Sequence, residues 1–303
     1  MNNTPSAKPT KTMTNPGQKK MKPIAIFLTI TFALSSIFYF LIIKAGTLHA
    51  GNGLYVLGLM WCPGIAGIIT MLLLKRKLKL LGWKWGKSKY QISSYLIPLF
   101  YALLAYGIIW MVGLGKLNIE ELHTQVSDIM GLEAINSSLA FVLLLLFIGI
   151  VGIIPSALSA LGEEIGWRGF LVPELYKRQG FTKTSLISGF IWAVWHLPIL
   201  LFADYNNGTS AWFSMTCFMA LVIAISFIYT WFRMKSGSLW TAVILHASHN
   251  LFIQGFFTPL TQDTGNTAYF IDEFGVVIPI IAIGFSIYYW NKRKELNPLL
   301  NDA

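Results

Sequence analysis

Leu161-Gly162-Glu163-Glu164-Ile165-Gly166-Trp167-Arg168-Gly169 ends a long apolar run with two carboxylates and a guanidinium. The surrounding chain is 55% hydrophobic and only 12% charged, with a mean hydropathy of +0.60. Soluble domains carry about 25% charged residues, so half the usual charge is missing. The composition and the repeated apolar runs specify a polytopic membrane protein. Charge placed inside such a protein is costly and generally functional.

Working outward from that stretch, the spacing assigns roles. Adjacent Glu163 and Glu164 point about 100° apart on a helix and cannot share one task. Glu164 has Arg168 at i+4, the favourable order for an ion pair. Glu163 has Trp167 at i+4, an apolar neighbour that leaves its carboxylate free to act as a general base. Solvation of both carboxylates at the membrane interface is the competing reading. Gly162 and Gly166 form a small-xxx-small pair that admits a second helix at close range. Pro155 is expected to bend the helix ahead of the motif.

Eight apolar segments are long enough to cross a bilayer: 24–43, 54–74, 92–112, 139–161, 185–202, 212–232, 239–257 and 274–290. Residues 1–23 are polar and are expected to be a disordered tail, leaving 24–303 as one transmembrane domain. Lysine and arginine gather in the tail and in loops 75–91, 162–184 and 233–238, while the alternate loops hold only Lys44 and Lys116. This asymmetry places both termini in the cytoplasm of a multi-pass cell-membrane protein. It also accounts for the net charge of +10 through topology and anionic lipid, without nucleic acid as a partner. Cys62 and Cys217 lie in apolar runs and read as packing residues. Asn118-Ile119-Glu120-Glu121 reads as the capped start of a short helix outside the spans, and 79–85 mixes Trp and Lys as interfacial segments do.

Two later spans carry the remaining polar groups. His196 follows Trp192-Ala193-Val194-Trp195, and His246 shares a helix face with Asn250 at i+4. His249 overlaps that face, so either imidazole is able to point inward. Each feature alone is compatible with a hydrogen-bonded core position. Together they suit hydrolysis, with a carboxylate and an imidazole to activate water and an imidazole and an amide to hold an oxyanion. No Gly-x-Ser-x-Gly or His-Glu-x-x-His pattern occurs. A divalent metal such as zinc, with Glu163, His196 and His246 as candidate ligands, stays open. His246 lies about 8 residues and His196 about 11 from the cytoplasmic ends of their spans, roughly 12–16 Å deep.

Glu163-Glu164-x-x-x-Arg168, Trp192-x-x-x-His196 and His246-x-x-x-Asn250, in that order over about 139–257, resemble the CPBP family. That family comprises the type II CAAX prenyl endopeptidases and the bacteriocin-processing or immunity (Abi) proteins. Trp192 stands where the family usually has Phe. The resemblance implies an all-α, eight-helix CAAX-protease-like fold and an endopeptidase acting on a membrane-associated protein or peptide. It further implies Glu163 and His196 activating water, His246 and Asn250 as oxyanion donors, and Glu164 and Arg168 supporting them. Within the same family, the alternative is a non-catalytic bacteriocin immunity or scaffold protein. Outside it, the buried acid and histidines are compatible with a proton-coupled transporter.

Overall fold

The computed structural model describes residues 16–133 and 135–296. The chain is all-α and polytopic, and each of the eight apolar segments appears as helix. In order these are α1 (Pro16–Ala45), α2 (Leu54–Leu73), α3 (Ser88–Met111), α4 (Ile119–Met130), α5 (Ser137–Val151), α6 (Ile153–Glu164), α7 (Val172–Phe202), α8 (Ala211–Ser236), α9 (Trp240–Phe252) and α10 (Val277–Asn291). Helix α1 begins at Pro16 rather than Ile24; the rest of the expected tail, 1–15, lies outside the described residues. Five helical stretches among the described residues are long and apolar enough to cross a membrane unaided, and α5, α9 and α10 are shorter.

The polarity of the molecule runs from inside to outside. Large apolar side chains such as Phe40, Ile150, Ile154, Phe190 and Ile280 are exposed, whereas Glu163, Glu164, Arg168 and Glu273 are buried. A contiguous apolar exterior of this kind is stable against lipid and a liability in water.

Two places depart from the pattern read in the sequence. The 139–161 span is two helices, α5 and α6, separated at Gly152. Pro155 falls in the first turn of α6, where its missing N–H costs nothing, so the break sits ahead of it. A Cβ on Gly152 would stand 2.6 Å from Leu251 Cδ1, which shows how closely α9 approaches the junction. The second departure is at the motif, where α6 runs on into a π-helical segment, Ile165–Leu171, before α7. A second π segment, Ile253–Phe257, follows α9. Helix α7 contains one further break at Gly180, whose φ of +71° suits glycine.

Outside the spans, the Asn118 side chain accepts from the Glu121 amide (3.1 Å) and so caps α4 as its sequence indicates. The preceding residues Lys116–Leu117 pair antiparallel with Thr261–Gln262. Trp83 and Trp85 of the 79–85 segment pack on Trp240 at the start of α9.

The motif lies flat against α2 because both helices present glycine at the crossing. A Cβ on Gly64 would meet the Gly162 carbonyl oxygen, and one on Gly166 would meet the Pro63 carbonyl. A Cβ on Gly162 would sit 2.7 Å from Trp61 Cγ. Gly162→Val is therefore expected to overpack this crossing and destabilise the protein by about 1–3 kcal/mol. Denaturation in detergent micelles measures it; unchanged stability would mean that α2 moves aside freely.

Candidate active site

The expected site residues come from three elements that the fold brings to one place. Glu163, His196, His246 and Asn250 all line a single cavity of about 200 Å³, together with Trp192 and Glu273. Glu163 comes from the end of α6, Trp192 and His196 from one face of α7, and His246 and Asn250 from one face of α9.

Glu163 is 2% exposed, and its Oε2 accepts two indole N–H bonds, from Trp192 (2.7 Å) and Trp167 (3.2 Å). Trp167 is thus a donor to the carboxylate as well as the apolar neighbour its spacing suggested. Trp192 supplies a bond that a phenylalanine at this place has no means to make. With Oε2 held by two donors, Oε1 remains for a molecule in the cavity.

Glu164 is completely buried and its Oε1 accepts from both Arg168 Nη1 (2.8 Å) and His246 Nδ1 (2.9 Å). The Arg168 guanidinium itself packs against the rings of both Trp192 and Tyr229, its central carbon 4.0 Å from each ring centroid. Stacking and ion pairing in a dry site are strengths of arginine that lysine lacks. The Glu164–His246 bond ties α6 to α9 and fixes the His246 ring with Nε2 directed away from Glu164.

His196 Nδ1 donates to the Trp192 carbonyl oxygen (2.9 Å). That bond puts the proton on Nδ1 and leaves the Nε2 lone pair available. The carbonyl of Arg168, inside the π segment, accepts from Arg233 Nε (2.8 Å), and Arg233 Nη2 also reaches the Leu81 carbonyl (3.3 Å). A π turn leaves carbonyls without ordinary helical partners, and the buried Arg233 meets this need.

His249 also lines the cavity, with partners different from those of His246. Its Nδ1 pairs with the Tyr101 hydroxyl and its Nε2 donates to Glu273 Oε1 (2.8 Å). Glu273 lies in the 258–276 connection and also accepts from the Tyr205 hydroxyl (2.9 Å). Burial works against its charge, but the bonds from His249 and Tyr205 hold its carboxyl below the usual value. Neither Glu273 nor Tyr205 was identifiable from the sequence, because both sit in connections between apolar segments and belong to no spacing pattern. Their one signal was an acidic residue next to the start of an apolar run.

The candidate metal ligands Glu163, His196 and His246 do not converge as a ligand set. No trio of His, Cys, Asp or Glu does so among the described residues. The three side chains are not gathered around one point as ligands of a single ion, and no step below passes through a metal. Cys62 and Cys217 are buried free thiols.

Residues 136–252 match the family model described as type II CAAX prenyl endopeptidase Rce1-like, a segment that contains all three motifs. The chain is also 29% identical over 149 residues to a protein named CAAX prenyl protease 2 of Methanococcus maripaludis. That match covers 47% of this chain and 50% of the relative, so it spans about half the length of each.

Two outcomes follow from the pairing around the cavity. Arg168→Met alone leaves Glu164 with a buried, underpaired charge and is expected to lower stability by about 3–5 kcal/mol. The double variant Glu164→Leu, Arg168→Met should recover much of that loss in the same detergent denaturation measurement. The second outcome concerns Asp272, which burial and the adjacent Glu273 charge push up to about 7 from 3.8. The folded segment thus holds a proton that the unfolded chain has already lost. Its contribution to stability is full below about pH 4 and fades as pH rises through about 7. Protection factors of the 258–276 amides, with the intrinsic base-catalysed rate divided out, should fall over that range, and Asp272→Asn should remove that fall.

Proposed function

We propose that the chain is an intramembrane endopeptidase that hydrolyses a peptide bond of a membrane-associated protein or peptide. The observation that carries this reading is the hold on Glu163: one oxygen is pinned by two indoles, inside a cavity shared with His196, His246 and Asn250. The family match over 136–252 and the name of the archaeal relative support the same reaction class.

In this mechanism a water sits between Glu163 and His196. Glu163 Oε1 takes its proton, while the free Nε2 of His196 accepts the other hydrogen and orients the attacking lone pair. The new C–O bond converts the scissile carbonyl into a tetrahedral oxyanion. Asn250 donates from its amide, and His246 donates from Nε2. With Nδ1 already donating to Glu164, a donating His246 is the imidazolium, and the Glu164 carboxylate lies against its charge. Collapse breaks the C–N bond as Glu163 returns its proton to the departing amine. The products are a carboxylic acid and an amine, and the enzyme is regenerated.

Asn250→Ala is expected to lower kcat by about 10²–10³-fold, the cost of one oxyanion donor, while KM changes little. A lipid-anchored peptide reporter with the purified protein in liposomes measures this. Chelation should leave the wild-type rate intact; loss of activity restored by added zinc would replace this mechanism with a metal-assisted one.

A further inference from the structure

The mechanism above leaves one buried charged group in the cavity unused. Glu273 is 4% exposed and comes from a connection rather than a span, yet its carboxylate lines the same cavity as Glu163 and His196. A buried carboxylate without a cationic partner is expensive, so what surrounds it bears on what it does.

Two side chains reach that carboxylate. His249 Nε2–H donates to one oxygen while its Nδ1 pairs with the Tyr101 hydroxyl, and the Tyr205 hydroxyl donates to the other oxygen. Among the described residues no lysine or arginine pairs with Glu273, and the buried Arg168 is committed to Glu164.

Glu273 thus accepts from two side-chain donors. A carboxylate offers about four acceptor positions, so two remain. The Tyr205 ring bridges the two groups: its hydroxyl reaches Glu273, and it stacks 6.3 Å from the His196 ring. The cavity thus has a reacting end at Glu163 and His196 and a second electronegative end one tyrosine away.

We propose that Glu273 is the floor of a specificity subsite that takes a lysine or arginine side chain of the substrate, close to the bond being cut. This rests on the endopeptidase reading, and it adds the chemistry of the substrate to it. A cationic side chain completes the acceptor capacity of Glu273 and brings it a charge that no lysine or arginine of the described residues supplies. A substrate carboxylate or acidic side chain at the same place would face Glu273 directly and be rejected.

The test uses the full chain in liposomes and lipid-anchored peptides that differ only by Lys, Gln or Glu at one position near the cleaved bond. The readout is the ratio of kcat/KM for two peptides in one preparation, so any loss of folded protein cancels. The wild type should favour Lys over Gln by at least about ten-fold at one position. Glu273→Gln should bring that ratio near one, and Glu273→Lys should favour Glu. Tyr205→Phe removes a donor but not the charge and should keep the Lys preference, whereas a purely structural role for Glu273 predicts no change in ratio in any variant.

Binding of the same peptides to the Glu163→Gln protein, followed by fluorescence anisotropy, separates the two claims. Glu163-dependent cleavage with no Lys preference at any position overturns the subsite and leaves the endopeptidase reading standing. No cleavage of any peptide, with the Lys peptide still bound more tightly through Glu273, overturns the reaction and keeps the subsite. Equal binding without cleavage overturns both.

Discussion

Everything around the cavity depends on how Glu164 is neutralised. A wholly buried carboxylate in an apolar bundle persists only with close partners, and Glu164 has two, Arg168 on its own chain segment and His246 on α9. Arg168 in turn needs the faces of Trp192 from α7 and Tyr229 from α8. One charge thus draws four segments to a point. The neighbouring Glu163 is thereby presented to the cavity, with a second, smaller set of bonds holding it. The ion pair is scaffolding whose product is the geometry of the residue beside it.

Dry packing supplies the other half of that geometry. The glycines at 64, 162 and 166 let α2 lie against the motif without side chains between them. This close approach buries the π segment and helps shield Glu164 and Arg168 from solvent. Arg233, reaching the Arg168 carbonyl, then answers the backbone need that the π turn creates.

Much of this was legible in the sequence, for identifiable reasons. Helical periodicity fixed which of Glu163 and Glu164 would meet Arg168, and i,i+4 spacing put His246 and Asn250 on one face. Apolar length gave the helices. The π segments at 165–171 and 253–257 were not legible, because a change from i+4 to i+5 bonding has no residue signature. The break at Gly152 was displaced from Pro155 because proline at a helix start is harmless, so only packing against Leu251 reveals the junction. The indole bonds to Glu163 were hidden because tryptophan reads first as an apolar residue. Glu273 and Tyr205 were hidden because loops carry no period, and only the folded chain shows which loop turns inward. His249 illustrates the limit within a helix: its spacing allowed it to reach the cavity beside His246, as it does, but only the folded chain shows that it bonds Glu273 there.

The account stands or falls on whether Glu163 makes the cavity hydrolytic. The most direct measurement compares membrane-protein and peptide termini in cells expressing the wild type and Glu163→Gln at equal abundance. The account predicts new termini that appear only with the wild type. Identical termini in both, with the cellular phenotype intact in the variant, would contradict it and leave a protein that acts by binding alone.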